Sequence, residues 1–304
     1  MLSPNQINRY NWTHQLFRNE FSKHHDVVYY GDGFPNYIPE KPISELIKEY
    51  DNKFDLIITY GLKYTLPFKG LGEITDIPKA HIAVDYFPKA TSGTYEWNHK
   101  LFNRDKYDIY FGVCGHVVKN LVKNGVCKKA HLNLFSVDTE IYKKINCAKK
   151  IDVFCGAFSR SKETYPMREE IIHYIKRMDK NINVYSKKIV HQEYVKKINE
   201  SKICITSNNI FNSPSIKYFE FLSCGSFMLA NEPEDLFENG FIKDKHLVIY
   251  NDLKDLDSKI RFFLKNDSIR ENIARQGMEL VRKYHNNSIR VTQFINTVKK
   301  ELDI

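Results

Sequence analysis

The chain has 304 residues, 42% of them hydrophobic and 27% charged, with 46 Lys+Arg against 37 Asp+Glu for a formal net charge of +9. That length suits two domains of about 150 residues each, and the balance of apolar and charged residues excludes a disordered or fibrous chain. A basic surplus favours anionic partners, yet the Lys/Arg runs are only pairs such as Lys128-Lys129 and Lys187-Lys188, so neither a basic arm nor a dense nucleic-acid patch is present.

In chain order, the opening MLSP precedes the polar NQINRYNW, so either a first strand there is very short or the true start lies upstream. A helix follows at Trp12 to Ser22, then strands at His25 to Gly31, Phe54 to Tyr60, Ala80 to Tyr86, Tyr107 to Val113 and Ala130 to Phe135. Helices fit between them at Ile43 to Tyr50, Tyr95 to Asn103 and His116 to Asn124. Runs such as LIIT and VVYY lack in/out alternation, as expected of parallel strands covered by helices on both faces.

A second cycle opens after the polar stretch 138–150, with strands at Ile151 to Phe158, Ile182 to Ser186, Lys202 to Ser207, Phe227 to Ala230 and Leu247 to Tyr250. Helices are expected at Met167 to Met178, Gln192 to Asn199 and Ser213 to Ser223, and a helical tail at Leu253 to Leu264, Ser268 to Tyr284 and Ser288 to Leu302. Asp267 or Ser268 is placed to cap the middle tail helix, with Glu271 completing a capping box if Ser268 is the cap. The alternation predicts an α/β protein of two Rossmann-like domains, residues 1–140 and 141–304, the last helices closing the second.

Six cysteines form no Cys-x-x-Cys pair, and several sit in apolar runs where a thiol is a small core residue. No signal peptide or membrane-length apolar run is seen, so the expected location is cytoplasmic.

The segment SIKYFEFLSCGSFMLA, Ser215 to Ala230, carries the chemistry. Ser213 suits an N-cap, Pro214 the first helical position and Gly225 a left-handed C-terminal cap. The helix so defined presents its positive end to the sheet's C-terminal edge, where a phosphate binds readily. Glu220 stands among Tyr218, Phe219, Phe221 and Leu222. Either it holds ligand hydroxyls, or it pairs with a nearby Lys or Arg or lies on an exposed stripe of the helix.

This segment resembles the K/R-x-x-E-x-x-A-x-G donor motif of group-1-type glycosyltransferases with the GT-B fold, and most of all the spore-maturation-type (CgeB-like) branch. LFSVDTEIYK (Leu134 to Lys143), DVFCGAFSRSKETYPMR (Asp152 to Arg168) and IARQGMELVRKYHNNSIR (Ile273 to Arg290) resemble further elements of that branch, in order. The resemblance implies two Rossmann-like domains facing a cleft, with a nucleotide-sugar donor such as a UDP- or GDP-sugar on the second domain, and hexosyl transfer without metal or cofactor. It implies that Glu220 holds the donor ribose, with Lys217, Ser159 and Arg160 near the diphosphate. Where many relatives have a first carboxylate eight residues before this Glu, the chain has Asn212, and the motif's small residue is Ser223.

In the first half, Asp85 follows the strand AHIAV, at the end where open α/β sheets bind ligands. It is the candidate acceptor base, or else caps the following turn. Asn8, Arg9 and Tyr10 are candidates for a loop facing the donor, whereas His116 suits a helix start better than catalysis. Asp255-Leu-Asp257 is the only Asp-x-Asp pattern; it falls inside a predicted helix, and neither a Walker loop nor a G-x-G-x-x-G occurs. Two other classes remain open: a non-catalytic two-lobed binding protein, and a nucleic-acid-interacting protein, whether a binder or a transferase acting on a modified DNA base.

Overall fold

The computed structural model describes residues 1–7, 12–61, 68–84, 102–156, 165–179, 181–187, 189–209 and 212–304. The chain forms two compact units, one of residues 1–134 with 290–304 and the other of residues 135–289.

The first unit holds a parallel sheet in the order β1-β2-β3-β4, namely Ile57–Tyr60, Lys79–Ile82, Ile109–Gly112 and Ala130–Leu132. The opening strand is a single residue: Leu2 makes parallel bridges to both Tyr30 and Thr59. The strand predicted at His25 to Gly31 shrinks to the bridge at Tyr30, because it has only this one residue's length of partner to pair with. Helices α1 (Trp12–Phe21), α2 (Ile43–Lys48) and α3 (Gly115–Lys123) fall where the apolar spacing places them. The helix expected at Tyr95 to Asn103 lies largely outside the described residues.

The second unit holds a parallel sheet in the order β6-β5-β7-β8-β9. Its strands are β5 (Ile151–Phe154), β6 (Val184–Tyr185), β7 (Ser201–Thr206), β8 (Phe227–Ala230) and β9 (Val248–Ile249). Helices α4 (Pro166–Ile175), α5 (His191–Asn199), α6 (Lys217–Ser223), α7 (Leu253–Lys265) and α8 (Asp267–Tyr284) connect or follow them. Strand order reverses between β5 and β7, the topological switch point outside whose carboxyl ends open α/β sheets bind ligands. Val153, Ile203, Ile205, Phe227 and Leu229 form the centre of its core, packed by Ile171 and Ile175 of α4, Leu256 and Ile260 of α7, and Ile273 of α8. Each such side chain contributes roughly 1.5–3 kcal/mol by leaving water.

The last helix, α9 (Asn287–Leu302), departs from the expected two-part division. From Arg290 onward it belongs to the first unit. The reason is its apolar face: Val291, Phe294 and Val298 complete the core made by Phe17, Phe21, Ile58, Ile82, Ile109 and Phe111. The rings of Phe111 and Phe294 lie 4.4 Å apart.

Two capping expectations are also corrected. Helix α8 begins two residues earlier than a Ser268 cap allows, with Asn266 preceding it and no side-chain cap; Asp267 instead bonds Arg270 at 2.6 Å. The acidic pair in α7 does local work: Asp252 accepts the Asp255 amide at 2.8 Å and Asp255 accepts the Asn251 amide at 2.9 Å, while Asp257 pairs with Arg261. The six cysteines are free thiols, all but Cys147 buried. No helix among the described residues is long and apolar enough to cross a membrane.

Candidate functional site

Helix α6 is the centre of the site. It runs from Lys217 to Ser223, so the predicted start at Ser213 is three to four residues too early. Ser213 does not cap it: the helix begins four residues later, and the Ser213 hydroxyl oxygen accepts from Asn209 Nδ2 at 2.9 Å. Asn212, where relatives often carry a carboxylate, has a left-handed backbone with φ 54° and bonds Asn208 through its side chain. The other end follows expectation. Gly225 has φ 66°, its amide bonds Leu222 O at 2.8 Å, and the Ser226 amide bonds Phe221 O at 3.2 Å, the paired bonds of a Schellman cap.

Tyr218, Phe219, Phe221 and Leu222 are all fully buried, and Glu220 between them is 3% exposed. An exposed stripe is therefore excluded for Glu220. A carboxylate taken from water costs several kcal/mol unless charged or hydrogen-bonded partners offset it. Two are present: Tyr194 Oη donates to Glu220 Oε2 at 2.8 Å, and Lys217 Nζ lies 4.0 Å from the same oxygen. Lys217 also donates to Tyr194 Oη at 3.2 Å, its ammonium 4.9 Å from the tyrosine ring centre. The phenol accepts from the cation and donates to the anion, joining the two. Burial holds the Lys217 pKa below its usual value, while Glu220 pulls it back up and the Arg168 charge lowers it further.

A glycine two residues past β5 leaves room for Tyr194 of α5. A Cβ on Gly156 would stand 2.5 Å from the Phe154 ring and 2.8 Å from the Tyr194 ring. Only the bare backbone lets Tyr194 lie across the end of β5, at the switch point. At neighbouring strand ends Tyr250 Oη donates to Thr206 O at 2.9 Å and Tyr218 Oη to Asn231 O at 2.7 Å.

The structure thus brings together Lys217 and Glu220 of the residues expected from sequence. Ser159, Arg160, Asp85, Asn8, Arg9 and Tyr10 lie outside the described residues. The segment leading to the last three is anchored from below: buried Arg18 donates to Pro4 O at 3.0 Å and Gln6 Oε1 at 3.1 Å. His116 lies in the first turn of α3, its Nδ1 3.2 Å from Cys114 Sγ. Tyr194 and Arg168 belong to the site and were not singled out in the sequence. Tyr194 carries no local signal, and Arg168 carries only its position in the Tyr-Pro-x-Arg helix start.

Residues 156–296, which contain Gly156, Tyr194, Lys217 and Glu220, match the family described as glycosyl transferase-like. A glycosyltransferase from Rickettsia africae ESF-5 has a similar structure, with TM-score 0.68 and 12% identity over 99% of this chain and 97% of that one. HepE of Anabaena, solved in complex with UDP and glucose, gives TM-score 0.63 at 13% identity, covering 93% of this chain and 88% of that one. Sucrose-phosphate synthase from Thermosynechococcus elongatus gives TM-score 0.61 at 13% identity, covering 88% and 82%. No curated protein matches the sequence. Residues 156–296 thus resemble glycosyl transferase-like proteins, and the chain has the GT-B fold seen in glycosyltransferase structures.

Proposed function

We propose that the protein transfers a hexose from a nucleotide sugar to an acceptor hydroxyl, with the donor held by the second unit. The observation that carries this reading is the buried Glu220, joined to Lys217 through Tyr194 at the carboxyl edge of the sheet's switch point. A carboxylate there accepts from the two ribose hydroxyls of a nucleotide, and a neighbouring ammonium offsets the charge that gathers on the leaving diphosphate. Family segment and fold both favour a transferase over a nucleic-acid binder or a non-catalytic lobe pair. The HepE structures that hold UDP and UDP-glucose support a uridine nucleotide as the first donor to try. The four ordered stretches shared with the spore-maturation-type branch are the ground for placing the chain within it.

In the proposed step the acceptor oxygen bonds to the anomeric carbon as that carbon's bond to the diphosphate oxygen breaks. The bonding pair leaves with the nucleoside diphosphate. Asp85, three residues past β2 in sequence, takes the acceptor proton. Ser159 and Arg160, which follow β5 in sequence, are assigned to the diphosphate with Lys217, and Asn8, Arg9 and Tyr10 to the donor-facing loop. No metal or cofactor is assigned a part, and a location in the cytoplasm is proposed.

A thermal-shift series with UDP, GDP and their sugars tests the donor site. A ligand at a hundred times its Kd is expected to add about 2.7 kcal/mol of stability. No shift with any nucleotide would defeat the reading. Asp85→Asn is expected to keep the shift and slow transfer about a hundredfold, the lower range for loss of a general base. Unchanged transfer in that variant would remove Asp85 from the mechanism.

A further inference from the structure

Arg168 is a buried cation that the fold leaves unanswered. It is 4% exposed, and its Nε is buried without a hydrogen-bond partner. Among the described residues its guanidinium makes neither an ion pair nor a side-chain hydrogen bond, only a stack over the Tyr165 ring at 3.4 Å. A guanidinium has five donors in a planar fork, and burying it without an acceptor costs several kcal/mol.

Its placement deepens the imbalance. Arg168 lies in the first turn of α4, the ten-residue helix that follows the turn after β5. A helix N-terminus already carries partial positive charge; Glu169 of the same turn complements it, whereas the Arg168 cation adds to it. Arg168 also acts electrostatically on Lys217, Tyr218 and Tyr250, groups that gather at the carboxyl ends of the second sheet. Lys217 is itself largely buried, its side chain 12% exposed, and among the described residues the carboxylate paired with it is Glu220.

We propose that Arg168 is a ligand-binding residue for the diphosphate of the nucleotide donor, completing with Lys217 a two-cation anion site; this rests on the donor-site reading above. The diphosphate oxygens supply the acceptors that the guanidinium lacks, and a fork presenting two parallel N–H groups matches a phosphate's geometry. Lys217, a point charge, cannot provide that match.

Calorimetric titration with UDP and GDP, and with the nucleoside of whichever binds, tests this in the wild type, Arg168→Met and Arg168→Lys. Methionine keeps an aliphatic stem over Tyr165 and removes the charge. It is expected to weaken diphosphate binding roughly tenfold to a hundredfold, the loss of one charge-assisted bond, and to leave nucleoside binding unchanged. Lysine is expected to fall between. Equal weakening of diphosphate and nucleoside, or no change in either, overturns the role of Arg168 while leaving the donor site standing. If Arg168→Met does not fold, the ratio of diphosphate to nucleoside affinity in Arg168→Lys decides: a lower ratio than wild type supports the role, an unchanged one overturns it. A wild type that binds neither UDP nor GDP overturns the donor site itself and this role with it.

Discussion

Glu220→Leu is expected to destabilise the second unit by about 3–5 kcal/mol, because it leaves buried Lys217 without its counter-charge. The same change removes the acceptor of the Tyr194 hydroxyl. Glu220→Gln is the informative contrast. Its amide oxygen still accepts from Tyr194, and the near-equal volume preserves the packing among Phe219, Phe221 and Leu222. It offers one acceptor where the carboxylate offers two, so donor affinity is expected to fall roughly tenfold or more. Denaturant melts and donor titrations on both variants separate the two roles. An unchanged melting midpoint for the leucine variant would show that the pair does not hold the fold. Unchanged donor affinity for the glutamine variant would make Glu220 purely structural.

Acidification from pH 7.5 to pH 5 is expected to destabilise the first unit by about 3 kcal/mol. His81 of β2 is 0% exposed, its pKa lowered to about 3 by burial. Its Nδ1 meets Thr59 Oγ1 at 2.7 Å, and Nε2 is buried without a partner among the rings of Phe102, Tyr107 and Tyr110. The nearest carboxylate in that network, Asp105, is reached only through Thr59 and Tyr107, and it is already paired with Arg104. His14, bonded to Tyr60 Oη at 3.0 Å, is likewise lowered to about 3, by burial and then by the Arg18 charge. Unfolded histidine titrates near 6.5, so between pH 6.5 and 3 the unfolded chain binds more protons than the folded one, and stability falls as pH falls. At pH 5 His81 accounts for about 2 kcal/mol; His14 contributes less, since it is only half-buried and solvent returns part of the penalty. Paired carboxylates such as Asp152 and Glu200 have lowered pKa values and act only at more acid pH. A thermal midpoint that stays constant from pH 7.5 to pH 5 would refute the buried neutral state of both histidines.

The second sheet was legible because its strands are short, apolar and bounded by Gly, Pro and polar turns. Both sheets repeat one period, and this made the α/β class readable from hydrophobic pattern alone. Helix starts were less legible. Ser213 looks like a cap in sequence, but a serine caps only if its hydroxyl faces the helix, and here Asn209 takes it. The Lys217–Glu220 pair could be anticipated because three residues on a helix share a face. Tyr194 could not, since it meets Glu220 across 26 residues of chain and through a glycine whose missing Cβ matters only once β5 and α5 are packed. The last helix misled for a similar reason. Its apolar stripe says that it packs, and nothing in the stripe says on which sheet.

That last helix sets the order in which the molecule can be completed during synthesis. Residues 135–289 form one continuous stretch, so the second unit has its whole core as soon as Ile289 has left the ribosome. The first unit begins to emerge earlier yet finishes later, because Val291, Phe294 and Val298 of its core follow residue 289. Domains usually fold in the order they are synthesised. Here the second unit can close first, while the apolar residues of β2 and β3 wait for α9 to cover them.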